Sequence, residues 1–125
     1  MKRSKNDLED RLISFSLNVE TLTQKFDSNF YGTVIQKQLI RSSSSAALHY
    51  GEVQGAESAK DFIHKVGVIL KELRESMVAL KIVYKKPLVE DLCFVEKLLK
   101  ECNELISIFV QCIKTAQSKQ KARIK

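Results

Sequence analysis

Apolar residues recur at alternating steps of three and four along most of the chain, a spacing typical of amphipathic helices that pack lengthwise on one another. The first run predicts a helix over about 7–26. The polar residues 27–29 interrupt the run, and because their side chains compete for backbone hydrogen bonds they predict a turn or a new helix cap. The rhythm then resumes and predicts a second helix from about Phe30 to about Gly55.

Capping signals and the same rhythm predict two further helices. Ser58, with Asp61 three residues on, resembles a capping box with a shortened acid and predicts a third helix that ends near Tyr84. Pro87 suits the first turn of a fourth helix, where its missing N–H removes no hydrogen bond, and the rhythm continues to Ile113. Short connections between consecutive long helices favour antiparallel neighbours.

Length and composition fit one helical domain. The chain has 125 residues, of which 44% are hydrophobic and 29% charged, with one proline and no tryptophan. This composition excludes a disordered chain, a disulfide scaffold and a turn-rich β-sandwich. We therefore predict an all-α fold, an antiparallel up-down-up-down four-helix bundle over 7–114, with a basic N-terminal tail at 1–6 and a basic C-terminal tail at 115–125.

The sequence also bears on the compartment. No segment approaches the roughly 18 consecutive apolar residues of a membrane span, and the N-terminus lacks a signal-peptide apolar region, so we expect a cytoplasmic protein with no membrane partner. The cysteines Cys93, Cys102 and Cys112 are odd in number and spread around one predicted helix. We interpret them as core thiols and expect neither a disulfide framework nor a metal site.

The formal net charge of +6 is carried by the two ends of the chain. Eight of the 21 basic residues lie there, and the 13 that remain face 15 acidic residues, so the predicted bundle itself is close to neutral. Basic tails attract RNA phosphates in a salt-dependent, sequence-independent way, although they also keep a protein soluble. The candidate nucleic-acid contacts are Lys2, Arg3, Lys5, Lys114, Lys119, Lys121, Arg123 and Lys125.

A run of four serines at 42–45 lies in the middle of the second predicted helix, although serine is not a strong helix former. A flexible linker is the simplest interpretation of such a run. We favour a helix, because the apolar rhythm continues through the serines and a loop would leave Leu39 and Leu48 without an element to bury them. Small residues then allow a close approach of the third helix, with Ala46 opposite Gly67.

The short turn between the second and third helices predicts which residues face each other. Arg41 falls opposite Glu72, and Gln38 falls opposite Glu75. We hypothesise a polar seam in which the forked donors of Arg41 meet a carboxylate, while a solvated surface ion pair is the alternative. The predicted seam comprises Gln38, Arg41, Ser42, Ser45, Glu72 and Glu75.

The fourth predicted helix carries a second apolar row and therefore a wider apolar arc than one bundle core requires. A large exposed apolar face normally marks an interface, so self-association is one interpretation and a broad core face is the other. The candidate oligomer interface comprises Leu98, Leu105, Ile108 and Cys112.

Signals for an enzyme are weak. The sequence has no Gly-rich phosphate loop, no nucleophile elbow and no metal-spaced cluster, and we expect no cofactor. His49 lies on the apolar seam and is interpreted as a hydrogen-bonded core histidine, whereas His64 is interpreted as a surface residue. Glu72 and Glu75 share a helix face, but with Arg41 in reach they fit a structural role better than a catalytic pair.

The segment QLIRSSSSAALHYGE, followed by AKDFIHKVGVILKELRES, closely resembles the four-helix-bundle family of bacterial 23S rRNA intervening-sequence proteins, many of which are named as ribosomal proteins. The likeness is strong over about 38–80. The family's usual asparagine is replaced by His49, and an aromatic residue common near the end of its third helix is replaced by Ala79. The matching positions are Gln38, Leu39, Arg41, Ser42, Ser45, Tyr50, Glu52, Asp61, Phe62, Ile63, Lys71, Glu72, Glu75 and Ser76.

The resemblance implies a ring-shaped homopentamer and no catalytic activity. It also implies a relationship to the accessory variability determinant proteins of diversity-generating retroelements, which associate with a reverse transcriptase and with nucleic acid. We therefore expect a non-enzymatic oligomer that binds RNA or a nucleoprotein through its basic termini. The alternative is a protein-binding accessory module that does not contact nucleic acid.

Overall fold

The structure, a computed structural model, describes residues 7–124 as an antiparallel bundle of four α-helices. The helices are α1 (Asp7–Thr23), α2 (Phe30–Val53), α3 (Ala59–Lys85) and α4 (Leu92–Ile124). Each helix packs against its neighbours in the order α1–α2, α2–α3, α3–α4 and α4–α1, so α1 and α3 occupy opposite corners. The predicted all-α, up-down-up-down four-helix bundle is confirmed. Lys2, Arg3, Lys5 and Lys125 lie outside the described residues.

The connection between α1 and α2 begins earlier in the sequence than the apolar pattern predicts. α1 ends at Thr23, and Phe26 packs against the core from the following turn and not from a helix. Asn29 then caps α2, because its side-chain oxygen accepts a hydrogen bond from the backbone N–H of Gly32 at 2.7 Å. The interruption at 27–29 therefore provides the predicted cap.

A modified capping box begins α3. The Ser58 hydroxyl accepts a hydrogen bond from the backbone N–H of Asp61 at 3.0 Å, as predicted. The Asp61 carboxylate in turn accepts a hydrogen bond from the N–H of Glu57, one residue before the cap, at 3.1 Å. Hydrogen bonds from Lys65 and from this N–H lower the pKa of Asp61, so the Asp61 carboxylate keeps its charge at neutral pH.

The predicted start of the fourth helix at Pro87 is wrong. Pro87 lies in the connection after α3, and Leu88 and Val89 are both buried there outside any helix. The Asp91 side chain accepts a hydrogen bond from the N–H of Phe94 at 3.2 Å and marks the real start of α4.

Both apolar rows of α4 face the interior of the bundle over most of the helix. Leu98 and Leu105 are 3% and 0% exposed, so their predicted place in an oligomer interface is wrong. α4 lies between α1 and α3, and the two neighbours together cover an arc wider than one seam. Of the predicted interface, only Ile108 and Cys112 are partly accessible.

α4 extends beyond the bundle at its C-terminal end. The thiol of Cys102 donates a hydrogen bond to the backbone carbonyl of Leu73 at 3.3 Å, so these two residues lie at the same height along the bundle axis. Counting along antiparallel neighbours from this contact places the start of α3 level with about residue 116 of α4. Residues 115–124, which the sequence predicted as a tail, therefore continue the helix.

Within residues 7–124, no helix is long and apolar enough to cross a membrane.

Candidate functional site

The serine run lies inside α2 and uses its hydroxyls to connect the helix to its surroundings. The Ser42 and Ser76 hydroxyls are 2.6 Å apart and join α2 to α3 in the buried interior. Ser43 donates to the carbonyl of Leu39, one turn earlier, at 2.7 Å. The prediction that 42–45 is helical is confirmed, because each buried hydroxyl finds a partner without breaking the helix.

The other two serines of the run point away from the Ser42–Ser76 contact. Ser44 lies on the α1 side, with its hydroxyl 3.1 Å from that of Ser16. Ser45, a member of the predicted seam, hydrogen-bonds within its own helix to Nδ1 of His49 at 3.0 Å. His49 is hydrogen-bonded, as predicted, but it is half-buried and not in the core, and His64 is exposed, as predicted.

Arg41 joins α2 to α3 through two glutamates one turn apart, an arrangement we call the Arg41 clamp (Arg41, Glu72 and Glu75). Its Nη1 donates to Glu72 at 2.9 Å, and its Nη2 donates to Glu75. Nε of Arg41 also donates to the side-chain oxygen of Gln38 at 3.3 Å within α2, so Gln38 completes the pairing of Arg41 as predicted, whereas Glu75, predicted opposite Gln38, is bound by Arg41.

Burial differs sharply within the Arg41 clamp. The Glu72 side chain is 7% exposed, whereas Arg41 is 49% and Glu75 is 40% exposed. The hydrogen bond to Glu75, reinforced by the charge of Glu72, raises the pKa of Arg41, so the guanidinium is charged at any physiological pH. The clamp holds one nearly buried carboxylate, and this geometry fits register between two helices better than proton transfer.

A second clamp joins α1 to α4 and was missed by the sequence analysis. Arg11 binds both carboxylate oxygens of Glu101, with Nε at 3.1 Å and Nη2 at 2.5 Å, and its Nη2 lies 3.4 Å from Glu104. We call Arg11, Glu101 and Glu104 the Arg11 clamp. The hydrogen bond that Arg11 donates to the Glu101 carboxylate raises the pKa of Arg11. The available signal was a second pair of glutamates three residues apart, matching Glu72 and Glu75.

The described candidate nucleic-acid contacts lie on the C-terminal part of α4. Lys114, Lys119 and Lys121 are exposed, and we call these three residues the basic arm. Lys114 and Lys121 are seven residues apart, so they share one side of the helix about 10 Å apart along its axis. The backbone of Arg123 continues the same helix. No acidic residue follows Glu104 in the sequence, so the arm is uniformly cationic.

An apolar groove lies beside the basic arm. It has a volume of about 860 Å³ and is formed where the end of α4 passes the turn between α2 and α3. Its apolar lining includes Val53, Phe62, Ile108 and Cys112, and Lys119 lies at its border. The partly accessible Ile108 and Cys112 of the predicted interface therefore contribute to this groove.

The thiols and histidines do not form a reactive cluster. Burial raises the pKa of Cys102 to about 12 and also raises the pKa of Cys112, so both remain thiols at neutral pH. Cys93 is exposed, in contrast to the predicted core position. His49 and His64 line one shallow pocket, but the described part of the chain contains no group of three His, Cys, Asp or Glu residues suited to a metal ion.

Comparison with known proteins supports the resemblance at the level of the wider family. The fold is similar to the crystal structure, at 1.70 Å resolution, of a protein of unknown function from the S23 ribosomal protein family of Bacteroides thetaiotaomicron VPI-5482. The TM-score is 0.73 at 25% sequence identity, and the match covers 86% of this chain and 98% of the other. No family model and no curated protein matches the chain.

Proposed function

We propose that the protein is a non-enzymatic, homo-oligomeric four-helix bundle that binds RNA or a nucleoprotein through its basic termini. The observation that carries this proposal is the basic arm, where Lys114, Lys119 and Lys121 project from a helix that extends beyond the bundle. A helical arm holds its charges at fixed spacing, so it loses less conformational entropy on binding a phosphate backbone than a flexible tail.

Assembly strengthens the proposal. The ring-shaped homopentamer implied by the family resemblance brings five arms together, and five weak electrostatic contacts on one RNA act as a multivalent site. Light scattering on the purified chain tests this step. We expect a mass five times the 14.3 kDa of one chain, and a mass of one chain contradicts it.

RNA binding is tested with a labelled structured RNA across a salt series that includes about 150 mM salt, close to physiological ionic strength. Substituting Lys114, Lys119 and Lys121 by glutamine removes up to three phosphate contacts per chain, and each contact contributes roughly 0.7–0.9 to the slope of log affinity against log salt. We expect weaker binding and a shallower slope.

A matched control replaces three exposed lysines away from the arm, Lys37, Lys97 and Lys100, by glutamine. The two variants have equal net charge, so only a localised contact distinguishes them. Equal losses in both variants, or no binding by the unmodified chain at physiological salt, contradict a role for the arm. A third variant with Lys2, Arg3 and Lys5 replaced measures the contribution of the N-terminal basic residues.

The alternative function is a protein-binding accessory module without direct nucleic-acid binding, for example a partner of a reverse transcriptase. The apolar groove beside Phe62 and Ile108 favours it, because concave apolar surfaces of this size bind protein segments. Co-expression with the reverse transcriptase of a diversity-generating retroelement tests it. Retention of the enzyme by the unmodified chain and by the glutamine arm variant, but not by Phe62→Glu, supports this alternative.

A further inference from the structure

Four of the eight large hydrophobic residues that are exposed in the described part of the chain lie on two surfaces. Ile13 and Leu17, which are 44% and 63% exposed, lie on the outer side of α1. Val34 and Val78, at 38% and 57%, lie where α2 and α3 meet. Exposed apolar side chains gathered in patches and not scattered singly point to surfaces that other protein covers.

The α1 surface is apolar at its centre and acidic at both ends. Asp10, Ile13, Leu17 and Glu20 follow one another at steps of three, four and three, so they form one stripe along the helix, which we call the α1 stripe. All four residues are exposed. The whole of α1 carries four acidic residues and one basic residue.

The surface on α3 has the opposite charge and the same length. Lys71, Arg74, Val78 and Lys81 are exposed and also follow one another at steps of three, four and three; we call them the α3 stripe. Both stripes span ten residues, or about 15 Å of helix. Beside Val78, the side chains of Ile35, Ala79 and Ile82 form the apolar part of a groove of about 670 Å³ between α2 and α3, and Arg41 and Glu75 are among its other lining residues.

We propose that the α1 stripe of one copy of the chain docks on the α3 stripe of the next copy. Ile13 and Leu17 cover Val78 and the adjoining groove, while Asp10 and Glu20 meet the basic residues at the two ends of the α3 stripe. The charge complementarity selects a second copy of this chain, because the α1 stripe of another copy brings acidic residues to the basic ends of the α3 stripe and apolar residues to its apolar centre. The inference rests on the proposed oligomer and defines its contact.

The positions of the two stripes determine the kind of assembly. α1 and α3 occupy opposite corners of the bundle, so the complementary surfaces face in opposite directions. One pair of chains cannot satisfy both surfaces at once, and the contact is therefore head-to-tail. Head-to-tail contacts close into a ring when the rotation between neighbours permits it.

The experiment places one glutamate in each stripe of the full chain. Leu17→Glu disables only the α1 stripe, and Val78→Glu disables only the α3 stripe. We expect each variant alone to run as a single chain of 14.3 kDa in light scattering, with an unchanged helical circular dichroism spectrum. Mixed in equal amounts, the two variants retain one intact pair of surfaces and form a 1:1 dimer that grows no further.

The control is Phe30→Glu, which adds the same charge at a residue that is 85% exposed and lies outside both stripes. We expect it to keep the mass of the unmodified chain. If the unmodified chain is itself a monomer, the oligomer in the proposed function fails together with this contact. If the unmodified chain is an oligomer and both stripe variants keep its mass, only the docking proposal is overturned. Two further outcomes overturn it. One is dissociation of the Leu17→Glu variant but not of the Val78→Glu variant, and the other is dissociation of the Phe30→Glu variant to the same extent as the stripe variants.

Discussion

The two arginine clamps have the same pattern of residues but differ in the buried residues that lie beneath them. In each, an arginine on one helix binds two glutamates three residues apart on the neighbouring helix. The residues that follow the arginine and the second glutamate are Leu12 and Leu105 at the Arg11 clamp, but Ser42 and Ser76 at the Arg41 clamp. All four of these residues are buried. Directly beneath the clamps, the α1–α4 contact is therefore apolar, and the α2–α3 contact is polar.

This difference determines which residues stabilise each contact. Beneath the Arg11 clamp, leucine packing provides the stability, and the more accessible carboxylates of Glu101 and Glu104 remain hydrated without their arginine. Beneath the Arg41 clamp, two hydroxyls bond to each other and Glu72 is nearly buried. There the loss of one polar partner lowers the free energy of unfolding, because the other partner is left buried without a hydrogen bond.

The largest expected effect is in the apolar interior. Leu105→Ala removes a fully buried side chain and leaves a cavity, so we expect the free energy of unfolding to fall by about 3 kcal/mol. Ile108→Ala, one turn later on the same helix and only partly buried, is the matched control, and we expect a smaller loss. Urea unfolding at one fixed protein concentration measures both. Equal losses mean that the interior at Leu105 is not as tightly packed as the structure indicates.

The clamps themselves provide the next test. Arg41→Leu leaves Glu72 nearly buried without its partner, and we expect a loss of about 2 kcal/mol. Arg11→Leu leaves carboxylates that water reaches, and we expect a loss below about 1 kcal/mol. Combining Arg41→Leu with Glu72→Leu also removes the unpaired Glu72 carboxylate, so the double variant is expected to be more stable than Arg41→Leu alone. Equal losses for the two arginine variants contradict the comparison.

The comparison also explains which parts of the molecule the sequence could predict. The Arg41 clamp joins helices connected by a short turn, so counting back from the turn aligns Arg41 with Glu72. The partners of Arg11 lie 90 and 93 residues away, and their alignment depends on every intervening turn. The rhythm of apolar residues located the four helices, but it could not show that Leu88 and Val89 are buried from a loop or that α4 continues to Ile124.

The buried serine pair allows a finer test of the polar interior. Ser42→Ala leaves the Ser76 hydroxyl without its α2 partner, and we expect a loss of about 1 kcal/mol. The double variant Ser42→Ala with Ser76→Ala removes both hydroxyls, and we expect it to be no less stable than Ser42→Ala alone. Ser45→Ala, in the half-buried hydrogen bond to His49, serves as control with a smaller loss. Additive losses in the double variant would show that the two hydroxyls act independently.

The smallest expected effect tests whether small residues are needed for close packing in the α2–α3 contact. The predicted close approach of Ala46 to Gly67 is not supported, because a methyl group built on Gly67 meets no atom within 4 Å. Gly67→Ala therefore gains helix propensity without a clash, and we expect stabilisation by about 0.5–1 kcal/mol. At Gly32 the same methyl lies 3.2 Å from the carbonyl oxygen of Asp27, so Gly32→Ala is expected to gain less or to destabilise. Thermal unfolding of both variants measures the difference, and a loss of stability in Gly67→Ala would restore the idea of a contact that only glycine permits.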